Sequence, residues 1–199
     1  YLERTTRMKI HQNYTSGLFF AVVAATTSVT AGEFAQITGD FGDATSLQIG
    51  ASCISGSSFP FTMWTITTTN GVEVHSDPAN LVSVSINSGK LSFEFNETVA
   101  SSATSGGIRI GMPAGQLESV TVESASNAQI LDGFEKVTEI SVSGASTLAA
   151  TFTSSAAGSL GLRVDGASTA NIQSNIILIG GSINGASTAN VQAPSYDDI

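Results

Sequence analysis

From Ser119 to Gln192 the chain alternates apolar and polar residues, breaks at a small residue and alternates again, four times in succession. The lines read SVTVESASNAQI from Ser119, EISVSGASTLAA from Glu139, GLRVDGASTANI from Gly161 and GSINGASTANV from Gly181. Aligned on Ser124, Gly144, Gly166 and Gly185, they recur at spacings of 20, 22 and 19 residues. A period of two is that of a β-strand with one buried face. A longer period near twenty that tolerates an extra residue is that of stacked coils, whose strands have fixed length and whose bends do not.

The alternation assigns a direction to each side chain. Val122, Val142, Val164 and Ile183 form one predicted core column, and Val120, Ile140, Leu162 and Gly181 a second. Beyond the break, Ala128, Leu148, Ala170 and Ala189 form a third, and Ile130, Ala150, Ile172 and Val191 a fourth. Between them Thr121, Ser141, Arg163 and Ser182, then Glu123, Ser143, Asp165 and Asn184, are predicted to face solvent. Gly144, Gly166 and Gly185 fall where one strand must turn into the next, a place for positive φ or close backbone approach. Ala145, Ala167 and Ala186 are expected to pack in register at that corner, and Ser146, Ser168 and Ser187 to hydrogen-bond along the stack. One such unit cannot bury its apolar edge alone, so stacking is obligatory.

Before residue 119 the same texture is looser. ATSLQIGASCISG, MWTITTTNGVEVHS, LVSVSINSGKLSFEF and GGIRIGMP read as strands punctuated by glycine turns, with INSGKL as a hairpin or coil turn. These strands are expected to extend the stack, with Phe59, Phe61 and Trp64 among the large core residues that cap it. The predicted fold is all-β: one parallel β-helix (β-solenoid) over residues 32–199, short of helix, with the GAS repeats at 119–192. The last coil, after Val191, would be left uncovered, so the chain is expected to continue beyond this sequence.

The first 31 residues read differently. From Met8 the chain runs MKIHQNYTSG, then LFFAVVAA, then small polar residues ending SVTA, with Val29 and Ala31 as small residues before a cut. That is the three-part pattern of a secretory signal peptide, with residues 1–7 upstream of it, and it predicts a secreted or cell-surface protein. Its apolar core is far shorter than the ~20 residues that span a bilayer, so no integral membrane span is expected. Removing the leader leaves Lys90, Arg109, Lys136 and Arg163 against fifteen carboxylates. So acidic a product repels nucleic acid and anionic lipid. Cys53 stands alone, which excludes an internal disulfide and suits a small buried hydrophobe.

LVSVSINSGKLSFEF, then IRIGMPAGQLESVTVESASNAQI, then three GAS phrases resemble the DUF2807 family, described as auto-transporter adhesins with a head GIN domain. The likeness covers about residues 79–192 and rests on IGMPAGQL followed by corners at Gly144, Gly166 and Gly185. It implies a right-handed parallel β-solenoid, export and adhesion. It carries no catalytic residue and no cofactor.

Candidate chemistry is sparse. Pectin-degrading solenoids need clustered carboxylates on one face, but Ser143 separates Glu123 from Asp165 in their column, and Asn184 follows. Glu73, His75 and Asp77 alternate on one strand, a loose cation-binding pattern that a solvated strand face explains better. No nucleophile elbow, phosphate loop or metalloprotease helix is present. No cofactor or metal is therefore expected. The sequon at Asn96 would be glycosylated in a eukaryotic secretory route. Thr147, Thr169 and Thr188 form an outward hydroxyl rank beside Asn171 and Asn190, and these five are the candidate ligand-binding residues. Three rungs are few for binding ice. The function expected is a non-catalytic binding or adhesion module for a cell-surface glycan or protein. The alternatives are a carbohydrate-active β-helix enzyme and a structural, self-associating surface protein.

Overall fold

The computed structural model describes residues 34–50, 61–103, 105–124, 126–131, 133–152, 159–174 and 177–192. The leader, Cys53 and Phe59 lie outside the described residues. In chain order the strands are β1 (Ala35–Ile37), β2 (Ser46–Gly50), β3 (Phe61–Thr68), β4 (Glu73–Asp77), β5 (Val82–Asn87) and β6 (Lys90–Phe95). A short helix, α1 (Glu97–Ser102), comes before β7 (Gly106–Pro113). The repeat region supplies β8 (Ser119–Glu123), β9 (Asn127–Ile130), β10 (Glu139–Val142), β11 (Thr147–Phe152), β12 (Ser159–Val164), β13 (Thr169–Ser174), β14 (Ile177–Ile183) and β15 (Thr188–Gln192).

The protein is nearly all-β, and its strands form two mixed sheets. The first has the order β1-β4-β7-β3-β9-β11-β13-β15 and the second β14-β12-β10-β8-β2-β6-β5. From β8 onward the chain visits the two sheets in turn, and each strand lies parallel to the strand one repeat before it. The register follows the sequence alignment: Ile140 pairs with Val120 and Leu162, and Leu148 with Ala128 and Ala170. Parallel pairing places like residues above one another at ~4.8 Å. Where β12 meets β14 the register shifts between Leu160 and Gly161, with one extra residue on β14.

The earlier strands do extend these sheets, β2 pairing parallel with β8 and β3 with β9. They also break the expected uniformity. β4 runs antiparallel to both β1 and β7, and β5 runs antiparallel to β6. The β5–β6 connection is a tight hairpin in which Ser88 (φ 51) and Gly89 (φ 77) both take positive φ, the geometry that matches strand twist. Asn96 begins α1, accepting hydrogen bonds from the Thr98 and Val99 amides on its side chain. This cap and the acidic Glu97 in the first turn are local helix signals. The expectation of a chain short of helix holds apart from this piece.

One core lies between the sheets. Val120, Val122, Ile140, Val142, Leu162 and Val164 from the second sheet are buried together with Ala128, Ile130, Leu148, Ala150, Ala170 and Ile172 from the first. Among the described residues no further strand covers β14 and β15, and Ile183 and Val191 each remain 36% exposed in the same columns.

At the corners Ser124, Gly144, Gly166 and Gly185 all take positive φ, at 60°, 69°, 80° and 72°. A Cβ on Gly144 would lie 2.9 Å from the Ser124 amide nitrogen, and one on Gly185 2.5 Å from the Gly166 carbonyl oxygen. Both the conformation and the space therefore call for glycine once corners stack. The alanines behave differently from the expectation: Ala145, Ala167 and Ala186 are exposed, and the following serine turns inward. Ser126, Ser146 and Ser168 are almost fully buried. Ser146 Oγ accepts from the Ser126 amide, and Ser168 Oγ from the Ser146 amide, both at 3.2 Å. A buried amide without a partner is costly. The serine hydroxyl meets that demand in the adjacent coil, which is why this position is not alanine.

Candidate functional site

The outer face of the first sheet carries the polar ranks. Thr147, Thr169 and Thr188 pair in register across β11, β13 and β15, and Asn127 of β9 precedes them. The neighbouring row holds Asn171 and Asn190, whose side chains bond directly, Asn190 Nδ2 donating to Asn171 Oδ1 at 2.8 Å. Both asparagines are exposed. The amide ladder is thus ordered before any ligand arrives, with its remaining donor and acceptor positions directed outward.

The same row continues across the whole sheet. Following the strand pairing, it runs Gln36, His75, Arg109, Trp64, Gln129, Ala149, Asn171 and Asn190. Trp64, expected in the core, is instead half-buried in this outward row. In β3 the inward positions are taken by Met63 and Thr65, both buried, so the apolar Trp64 and Ile66 fall on the outside. Hydrophobicity alone points the wrong way in such a strand. Pairing with Ala128 and Ile130, which supply the buried columns of β9, fixes the register. Phe34 meets Trp64 edge-on, with ring centroids 6.1 Å apart and planes at 77°. The Arg109 guanidinium sits over the Phe34 ring, 5.4 Å from its centroid, within cation–π range.

Charge clusters elsewhere are engaged with one another. On β4 His75 Nε2 lies 3.5 Å from Glu73 Oε2. Among the described residues, Glu73, His75 and Asp77 included, no group of three or more His, Cys, Asp or Glu is placed to hold a metal ion. On the second sheet Gln48 Nε2 donates to Glu123 Oε1 at 2.7 Å. Asp165 accepts from Asn184 Nδ2 at 2.6 Å and from Arg163 Nε. The Asn184 amide first, and the Arg163 guanidinium second, hold the Asp165 carboxyl below the usual aspartate range. Glu123 and Asp165 are two strands apart, roughly 10 Å at ordinary strand spacing.

A depressed folded-state pKa gives a favourable contribution that is complete above the range where unfolded aspartate ionises, and is lost as pH falls through the folded value. Carboxyl-carbon NMR is therefore expected to show Asp165 titrating at lower pH than an ordinary aspartate. Asn184→Ala should move that midpoint upward, and an unmoved midpoint would refute the assigned cause.

Asn96 is exposed, but its side-chain oxygen is occupied in capping α1. Among the described residues no helix is long and apolar enough to cross a membrane. No protein-family model matches the chain, and no curated protein matches it significantly.

Proposed function

We propose that this chain is an exported, non-catalytic binding or adhesion module, built as a right-handed parallel β-solenoid with coils of about twenty residues. The single observation that carries the binding reading is the ordered outward ladder of Thr147, Thr169, Thr188, Asn171 and Asn190. Such a surface needs little reordering to meet hydroxyl-rich ligands, and preorganisation reduces the entropy lost on binding. The solenoid reading draws on strands that alternate between two sheets with parallel, in-register pairing. Export draws on the LFFAVVAA leader, and adhesion on the resemblance to the DUF2807 family.

The enzyme alternative is less well supported. A general acid for glycoside hydrolysis needs a raised carboxyl pKa. Asp165 is shifted the other way, and Glu123 is tied to Gln48. The self-associating alternative has one observation in its favour. Residues 177–192 carry no charged side chain and expose Ile183 and Val191 on strands that are outermost among the described residues, whereas edges protected against association are short or charged.

Glycan-array binding by the chain lacking its leader tests the reading. The parent is expected to bind at least one glycan, and Asn171→Ala with Asn190→Ala to lose tenfold or more in affinity. Release of reducing ends from a polysaccharide would overturn the non-catalytic claim. A blank array combined with concentration-dependent assembly would replace it with the self-associating reading.

A further inference from the structure

We infer that Trp64 and its neighbours form a stacking subsite for a neutral saccharide, in the middle of the row that ends in the asparagine ladder. This inference rests on the binding reading above and names the ligand class for it. The first observation is the seating of the indole. A Cβ on Gly107 would lie 2.7 Å from Trp64 Cζ3 and 3.0 Å from Phe34 Cζ, so the missing side chain lets both rings settle against the sheet. Trp64 and Phe34 remain half-buried rather than enclosed. A large aromatic group fixed this way presents apolar area at low entropic cost.

The second observation is what flanks the ring. Arg109 and Gln129 are its partners on the two adjacent strands, and both carry hydrogen-bond donors. Arg109 is exposed, is held over Phe34 and has no carboxylate within salt-bridge distance among the described residues. His75 stands beside it in the row, with Glu73 and Asp77 two residues to either side on the same strand face. The patch thus interleaves an aromatic face with donors and acceptors. A pyranose ring offers the complement: an apolar C–H face to stack and rim hydroxyls that both give and accept hydrogen bonds.

Charge selects the kind of saccharide. Glu73, Asp77 and the net charge of −9 disfavour a uronate or sulfated chain, while a neutral chain uses those carboxylates as acceptors. Geometry then extends the contact. Asn171 and Asn190 lie three and four strands from Trp64 in the same row, ~14 and ~19 Å at ordinary strand spacing. A short oligosaccharide lying across the strands reaches both.

Trp64 is the only tryptophan in the chain, so intrinsic fluorescence reports on this subsite directly. The full chain is titrated with cellohexaose, xylohexaose and chitohexaose, and with hexagalacturonate as the acidic counterpart. At least one neutral hexamer is expected to give a saturable emission change. By calorimetry, Trp64→Ala should then weaken binding tenfold or more, Trp64→Phe should keep most of it, and Arg109→Gln and Gln129→Ala should each weaken it severalfold. The last two alter the flanking positions only and stand in if Trp64→Ala does not fold. Binding of hexagalacturonate alone would overturn the neutral-saccharide assignment. Unchanged affinity in Trp64→Ala, with loss in Asn171→Ala and Asn190→Ala, would overturn the subsite and leave the ladder standing. No emission change with any hexamer would also overturn it, and a blank glycan array besides would remove the binding reading itself.

Discussion

Replacing Gly144 by valine is expected to lower unfolding stability by about 2–4 kcal/mol, through left-handed backbone strain added to overlap with the neighbouring coil. The residue has φ 69°, and a Cβ there would stand 2.9 Å from a backbone nitrogen of the Ser124 corner. A β-branched side chain is poorly tolerated at positive φ and cannot displace backbone by rotating away. Ser124 supplies the opposite experiment. It has the same conformation, φ 60°, with an exposed side chain, so Ser124→Gly is expected to be neutral or to stabilise by up to ~1 kcal/mol. Urea denaturation of both variants checks the pair. A Gly144→Val protein as stable as its parent would mean that the corners do not stack as described.

Leu148→Ala is expected to cost about 2–4 kcal/mol, because Leu148 is fully buried and its removal leaves a cavity in the middle of the stack. The more informative variant adds Ala150→Ile. The first-sheet strands place a small and a large residue inward in the order Ala128 and Ile130, Ala170 and Ile172, Ala189 and Val191, but Leu148 and Ala150 reverse it. The space between the sheets is filled either way. The double variant gives β11 the order of its neighbours, and is expected to recover at least half of the loss, a coupling of ~1–2 kcal/mol. Additive effects in a double-mutant cycle would show that the two positions do not share one volume.

These two cases also mark what could be read from the chain. The repeat lines gave strand positions and register because identical residues recur at a fixed distance from each corner, and an error of one residue would turn Val122, Val142 and Val164 to solvent. The exposure of Ala145 and Ala167 with burial of the next serine was not legible in polarity. Alanine is the more apolar, but the Ser146 hydroxyl answers a buried amide in the adjacent coil, a demand visible only in three dimensions. The antiparallel β4 was missed for a related reason, whereas the hairpin between β5 and β6 was one of the two readings that INSGKL allowed. An isolated alternating strand has no built-in direction, and only its neighbours decide it. Trp64 failed as a core residue because two apolar residues of β3 face outward, and Trp64 and Arg109, now central to the proposed subsite, have no repeat partner that would have signalled them. The ladder residues Asn171 and Asn190 were accessible from sequence alone because they do.

The serine chain at the corners also fixes an order in time. The Ser126 amide finds its acceptor on Ser146, and the Ser146 amide on Ser168, so each corner is completed by a segment made later. A polypeptide emerging amino end first presents each of these two corners unfinished until one more repeat has followed it out. A chain stopped before Ser168 therefore leaves the Ser146 amide without this acceptor, while the Ser126 amide already has the Ser146 hydroxyl.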